Sequence, residues 1–311
     1  MSTPAPGTAG GASADAAGGR TGTGGVGGVG DVAGTPGTAG AAASRRRRVR
    51  VHHLQEAKAA GRRLAMLTAY DAVTARIFDE AGVDLLLVGD SIGNTMHGQA
   101  TTLPVTLDEM VVAARSVVRG ARYALVVADL PFGTYEAGPE QALASGVRML
   151  KESGAAAVKI EGGRRIVPQV RALSDAGIPV VGHLGYTPQS EHRLGGPRVQ
   201  GRGDEAADRL TTDAVALQEA GAVAVVLEMV PAPVAERVTE VLAVPTIGIG
   251  AGAGCDGQVL VWVDMAGMGE WSPRFARRFG EVGAALTAAA SGYAAAVRDG
   301  SFPAAEHTFD A

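Results

Sequence analysis

Asp84-Leu85-Leu86-Leu87-Val88-Gly89-Asp90 is an apolar run that ends in a carboxylate. Three later stretches have the same form. Ala124-Leu125-Val126-Val127-Ala128 ends in Asp129, Ala156-Ala157-Val158-Lys159-Ile160 ends in Glu161, and Ala222-Val223-Ala224-Val225-Val226-Leu227 ends in Glu228. Pairs such as Val180-Val181 and Val225-Val226 show no alternation of polar and apolar residues, as expected of parallel strands covered on both faces. A terminal charge has no use inside such a strand. It does in a barrel, where the C-terminal ends of all strands surround one pocket and the active site is built there. The pattern reads as an enzyme.

Working outward, strand-like runs lie at Leu64–Ala69, Asp84–Gly89, Ala124–Ala128, Ala156–Ile160, Ile178–Gly182, Ala222–Leu227, Val244–Ile249 and Val259–Val263, most of them separated by helix-like stretches. Between Thr106 and Gly120 the spacing of Leu107, Met110, Val111, Ala114, Val117 and Val118 predicts an amphipathic helix. Thr106-Leu107-Asp108-Glu109 has capping-box form, and Gly120 is the expected stop. Pro139 and Glu140 suit a helix start after Gly138. Eight strands in βα order predict a (β/α)8 TIM barrel over residues 51–311. A doubly wound open sheet is the runner-up, but it gathers its site at one switch point, whereas these carboxylates scatter over four strand ends. The glycine- and proline-rich stretch from Tyr186 to Gly203 is expected to be a functional loop. The Ala-rich stretch from Arg274 to Asp299 reads as one or two outer helices, and Pro303–Ala311 as an arm that frays or packs on a neighbouring subunit.

Residues 1–50 form a separate Gly/Ala-rich tail that ends in an Arg run. The first 44 or so have almost no large apolar side chains and cannot offset their ordering entropy, so a disordered extension is expected. Gly25-Val26-Gly27-Gly28-Val29-Gly30 matches a dinucleotide fingerprint in letters only, since no strand precedes it and no helix follows. The Arg45–Arg48 run and Arg50 could serve nucleic acid or organelle targeting, although a solvated basic stub before the fold is the simpler reading. The whole chain carries a net charge of -4; residues 1–50 contribute +4, which leaves -8 for the rest. No general attraction to nucleic acid follows. The single cysteine, Cys255, rules out an intramolecular disulfide framework and suits the cytoplasm. No apolar run approaches the roughly 18–20 residues of a membrane span.

The chemistry concentrates at the strand ends. Asp90, Asp129 and Glu161 follow three consecutive strands, and crowded carboxylates require protons or a cation. Oxygen ligands without a His/Cys cluster suit a hard ion, Mg2+ by preference. Lys159 lies two residues before Glu161 and shares its face, where it could bind a substrate carboxylate or simply pair with Glu161. His183, between Gly182 and Leu184, could line the pocket or be structural. Ser91 could donate to a substrate oxygen or cap a turn. Glu228, across the barrel in an expected apolar setting, would make a base. Gly248, Gly250, Gly252 and Gly254 permit close backbone approach, and a tight turn beside the substrate is the safer reading than a phosphate loop.

A set of collinear segments carries a resemblance. Leu67-Thr68-Ala69-Tyr70-Asp71, Val88-Gly89-Asp90-Ser91, Thr102-Leu103-Pro104-Val105-Thr106, Ala128-Asp129-Leu130-Pro131-Phe132, Val158-Lys159-Ile160-Glu161-Gly162-Gly163, Gly182-His183-Leu184-Gly185, Val199-Gln200-Gly201-Arg202 and Ile247-Gly248-Ile249-Gly250-Ala251-Gly252 resemble the ketopantoate hydroxymethyltransferase family from about His53 to His307. The resemblance implies a barrel of the phosphoenolpyruvate-mutase-like superfamily, a Mg2+ cofactor and 5,10-methylenetetrahydrofolate as co-substrate. It implies hydroxymethyl transfer to 3-methyl-2-oxobutanoate through a Mg2+-stabilised enolate, as the first step of pantothenate and coenzyme A synthesis. Matched by motif, Asp90, Asp129 and Glu161 would bind the metal. Asp90, Ser91, Asp129, Lys159 and His183 would bind substrate, and Glu228 would be the catalytic base. Leu227-Glu228-Met229 stands where the family often has Leu-Glu-Cys, and the glutamate is kept. A homo-oligomer, often a decamer, is implied, with no nucleic-acid or membrane partner. A lyase on the same fold is the nearest rival.

Overall fold

The computed structural model describes residues 46–309. Eight parallel strands close on themselves in chain order: β1 (Leu64–Thr68), β2 (Leu85–Val88), β3 (Leu125–Asp129), β4 (Ala157–Glu161), β5 (Val180–Gly185), β6 (Ala222–Glu228), β7 (Thr246–Ile249) and β8 (Gly257–Leu260). Closure is made by pairing Leu64 with Gly257 and Met66 with Val259. The barrel expected from the sequence is present, and the open-sheet alternative is excluded by this last pairing.

The helices are α1 (Val51–Ala59), α2 (Ala72–Glu80), α3 (Ile92–Thr95), α4 (Leu107–Gly120), α5 (Pro139–Ser153), α6 (Val167–Asp175), α7 (Glu191–Leu194), α8 (Asp204–Glu219), α9 (Ala232–Val241), α10 (Trp262–Ala266) and α11 (Val282–Asp299). The expected capping box starts α4: Thr106 Oγ1 accepts from the Glu109 N–H at 3.2 Å, and the Thr106 N–H donates to Glu109 Oε2 at 2.7 Å. Gly120 works differently from expectation. It is the last helical residue, and a Cβ there would lie 2.4 Å from the Ala72 carbonyl, so its glycine permits contact with α2.

Two apolar clusters follow from strand parity. Outward-facing residues such as Leu86, Val126, Val158 and Val225 pack under the helices. Inward-facing residues fill the barrel from Leu64, Met66, Leu85, Leu87, Leu125 and Val127 round to Ile247 and Val259. Leu54 and Ala57 of α1 join this inner cluster and close it from below. That helix was not apparent in the sequence, because only two of its residues are buried.

Three further expectations are corrected. Residues 250–256 alone connect β7 to β8, with no helix between them. β8 ends at Leu260, and the segment expected to extend it to Val263 turns into α10. Third, Arg46 is not a solvated stub: its guanidinium donates to the carbonyls of Asp79 and Val83 and lies over the Tyr123 ring. The Ala-rich segment gives one outer helix, α11, within the expectation, and none of its residues is buried. Ala65 of β1 and Gln258 of β8 are exposed on the outside of the barrel, whereas β2, β3, β4 and β7 are buried throughout. The expected disordered segment, up to residue 45, lies outside the described residues. Among the described residues no helix is long and apolar enough to cross a membrane.

Candidate active site

The inward rows that are apolar at the bottom of the barrel become charged at its C-terminal mouth. Val127 is followed two residues later by Asp129, Ala157 by Lys159 and Glu161, Val181 by His183, and Val226 by Glu228. Asp90 lies just past β2, where the chain turns into α3. A Cβ at Gly89 would sit 2.8 Å from Ser91 Oγ and 3.5 Å from Asp129 Oδ2, so glycine leaves room for the turn. Asp71, by contrast, also follows a strand but is a helix cap, accepting from the N–H groups of Val73 and Thr74.

The predicted residues other than Ser91 form one contact network. Lys159 Nζ lies 3.0 Å from Asp129 Oδ1 and 4.0 Å from Glu161 Oε1, so its nearest carboxylate is on β3 and not the Glu161 of its own strand. Asp129 Oδ1 is buried and has no hydrogen bond besides this ion-pair contact, while Oδ2 accepts from the Asp90 N–H at 3.1 Å. His183 Nδ1 lies 3.1 Å from Glu161 Oε1, and Nε2 lies 3.3 Å from Glu228 Oε2. Lys159 Nζ is also 3.4 Å from His183 Nδ1. The ammonium and an Nδ1–H cannot both donate there, and the shorter distances assign Lys159 to Asp129 and Nδ1–H to Glu161. Glu228 is not in the isolated apolar setting expected of it: the imidazole joins it to the carboxylate cluster. Ser91 Oγ meets the Tyr70 hydroxyl at 2.9 Å.

The electrostatics follow from burial. Desolvation pushes the Asp90 carboxyl well above its usual range, and the charges of Asp129 and Glu161 add to this. Asp129 is raised by burial, with Lys159 opposing. Burial would also raise Glu161, but His183, Lys159 and a backbone N–H outweigh it and hold this carboxyl low. Desolvation disfavours the charged Lys159, yet Asp129, Glu161 and Asp90 keep it protonated beyond its normal range. His183 loses to burial and to Lys159 but gains more from Glu161 and Glu228, so that it titrates at about 9.

Three participants were not singled out from the sequence. Gln189, buried in the Pro188–Ser190 turn after β5, donates through Nε2 to Asp90 Oδ2 at 2.8 Å and to the Leu130 carbonyl at 3.0 Å. Its backbone N–H donates to Glu161 Oε2 at 2.9 Å. Tyr135 donates to Gln189 Oε1 and accepts from the Glu161 N–H at 3.1 Å. Tyr70 holds Ser91. Tyr70 lay in one of the segments that carry the resemblance, and Gln189 in the Tyr186–Gly203 loop, which is structured by that turn and by α7. The Gly250–Gly254 segment packs against Ala232, Glu236 and Phe275 as a tight turn.

An oxygen donor set is available for a hard cation. The three buried carboxyl groups of Asp90, Asp129 and Glu161 outnumber the two cations beside them, Lys159 and the His183 ring, and Asp90 Oδ1 makes no hydrogen bond among the described residues. Both oxygens of Glu161 are already engaged. Among the described residues no three His, Cys, Asp or Glu side chains converge as a ready-made metal cage. Two carboxylates with remaining positions left to water and substrate is the kind of site that suits Mg2+.

Comparison with known proteins decides the family. The family model for ketopantoate hydroxymethyltransferase matches residues 48–305. The chain belongs to the ketopantoate hydroxymethyltransferase family. The 3-methyl-2-oxobutanoate hydroxymethyltransferase of Rhodococcus jostii is 60% identical over 265 residues, covering 85% of this chain and 91% of the relative. That of Mycobacterium tuberculosis is 58% identical over 265 residues, covering 85% and 94%. Among solved structures, 2,3-dimethylmalate lyase, a phosphoenolpyruvate mutase/isocitrate lyase superfamily member, aligns with a TM-score of 0.53 at 20% identity, covering 83% of this chain and 91% of that one. Phosphonopyruvate hydrolase in complex with oxalate and Mg2+ aligns with a TM-score of 0.54 at 13% identity, covering 83% and 92%. These structures show that the ketopantoate hydroxymethyltransferase barrel shares the fold of that superfamily.

Proposed function

We propose that this family member is a 3-methyl-2-oxobutanoate hydroxymethyltransferase that takes its one-carbon unit from 5,10-methylenetetrahydrofolate and releases 2-dehydropantoate, the first step of pantothenate and coenzyme A synthesis. The observation that carries the mechanism is the accessibility of Glu228. Its side chain is 17% exposed at the mouth, whereas those of Asp129 and Glu161 are 3% and 1% exposed, so Glu228 is the carboxylate best able to reach a substrate carbon.

Glu228 removes the C3 proton of the 2-oxo acid. His183, against Glu228 on one side and Glu161 on the other, orients the base and balances its charge. Water adds to the methylene carbon of the folate and both of its C–N bonds break, which releases tetrahydrofolate, its nitrogens taking up the protons, and leaves formaldehyde. The carbon nucleophile attacks that carbonyl carbon, and the carbonyl oxygen takes the proton from Glu228 to become the product hydroxyl. Ser91, held by Tyr70, and Lys159 bind the oxygens of the oxo acid. Asp90 and Asp129 would hold Mg2+, with Glu161 close to it. When bound, Mg2+ supplies Lewis-acid stabilisation of the negative charge that develops on the substrate's ketone oxygen.

The exposed apolar α11 and the uncovered outer face of β8 and β1 support a homo-oligomer, proposed to be a decamer, in which a second copy covers them. The single cysteine supports a cytoplasmic location. Proton NMR in D2O with both substrates and Mg2+, and an EDTA control, tests the reaction. Metal-dependent 2-dehydropantoate is the expected result. Loss of the C3 proton signal without product would leave enolising chemistry but remove the folate as donor. Neither change in a folded sample would sink the transferase reading and bring a lyase forward.

A further inference from the structure

Gln189 touches two of the three carboxylates of the candidate metal site, Asp90 and Glu161. One N–H of its carboxamide points at Asp90 Oδ2 and the other at the Leu130 carbonyl. Its oxygen accepts from Tyr135, whose own hydroxyl also takes the Glu161 N–H. The backbone N–H of the same residue holds Glu161 Oε2. All the polar atoms of this buried side chain are therefore used. The carboxamide cannot turn over, because a backbone carbonyl only accepts and so fixes which end carries nitrogen.

The consequence lies in which carboxylate oxygens remain free. Asp90 Oδ2 already accepts from Gln189, whereas Oδ1 makes no hydrogen bond among the described residues and presents both of its lone pairs to a ligand. Glu161 accepts at Oε2 from Gln189 and lies at Oε1 against His183, so the same residue that clamps Asp90 also fixes the orientation of Glu161. A neutral donor suits the position. An arginine or lysine would neutralise Asp90 and compete with a cation, and a glutamate would add a fourth carboxylate to three buried ones.

We propose that Gln189 is a positioning residue of the Mg2+ site, selecting Asp90 Oδ1 as the metal ligand and making the turn after β5 part of that site. The inference rests on the Mg2+ reading above. Partners that orient metal ligands typically change affinity by about 10–100-fold when removed. Mg2+ demands near-octahedral order, while Ca2+ accepts irregular sites. Loss of the clamp should therefore lower Mg2+ affinity more than Ca2+ affinity.

Titration calorimetry of the whole protein with Mg2+ alone and with Ca2+ alone tests this. Gln189→Leu should weaken Mg2+ by about 10–100-fold and narrow the preference for Mg2+ over Ca2+. Gln189→Glu separates orientation from charge: an added anion acting only through its field would tighten both ions, whereas the positioning role predicts weaker Mg2+ binding. Tyr135→Phe, which keeps the ring and removes only the hydroxyl that steadies the carboxamide, should shift Mg2+ in the same direction and guards against misfolding of the Gln189 variants. Equal losses for both ions, or unchanged binding, would overturn the proposal. Failure of the unmodified protein to bind Mg2+ at all would overturn the metal reading beneath it.

Discussion

Replacing Lys159 by methionine should cost the metal-free protein about 3–5 kcal/mol near pH 8. The ammonium lies 3.0 Å from Asp129 Oδ1 and 4.0 Å from Glu161 Oε1, and all three groups are buried. At an effective dielectric of about 20, these distances correspond to attractions of about 5.5 and about 4 kcal/mol. Repulsion from the His183 ring, 3.4 Å away and still charged at pH 8, and desolvation of the ammonium take back much of this, so the expected loss is set by the range seen when one partner of a buried pair is removed. Methionine has nearly the length of lysine, so little cavity is added. The sign with pH follows from the carboxylates. In the unmodified protein, the raised Lys159 pKa gives a contribution fully present below the ordinary lysine value of about 10.4, so it does not change between about pH 5 and pH 8. In the variant, carboxyls already raised by burial lose their opposing cation and rise further. Stability then falls as pH rises from the unfolded carboxyl value of about 4 through the raised folded values. Urea unfolding in EDTA at about pH 5.5 and about pH 8 measures both effects. A loss below about 1 kcal/mol at the higher pH, or the same loss at both, would refute the view that Lys159 carries the cluster's charge balance.

Glu228→Gln should abolish deuterium exchange at C3 of 3-methyl-2-oxobutanoate while leaving Mg2+ and oxo-acid binding nearly unchanged; surviving exchange places the base elsewhere. His183, raised to about 9, stabilises the fold fully below about pH 6.5 and loses that contribution as pH rises through about 9. The thermal midpoint of metal-free protein should fall across that window, and His183→Gln should flatten the fall; an identical slope in both would count against the Glu161–His183–Glu228 chain. Leu286→Glu combined with Tyr293→Glu, both exposed on α11, should lower the mass seen by sedimentation velocity. An unchanged assembly would show that α11 is not an intersubunit surface.

Much of the fold was legible because buried parallel strands leave uninterrupted apolar runs, and the carboxylates that end them mark the barrel mouth. Asp90, Asp129, Glu161 and Glu228 were readable for that reason, and Lys159 by its two-residue offset from Glu161. The roles of Gln189 and Tyr135 were not, since a neutral polar residue in a loop looks the same whether it faces water or a buried carboxylate. The missing helix between β7 and β8 and the unburied α11 were equally hidden, because helical propensity does not say against what a helix packs.

The sequence by itself determined the order of eight strands, the inward parity of the charged residues and the family, because period and order are local properties of the chain. Only the tertiary structure decided the partners: Lys159 with Asp129 across strands, His183 between Glu161 and Glu228, and Gln189 on Asp90. Residues 99 apart, as Gln189 and Asp90 are, meet only when the barrel closes and sets their register.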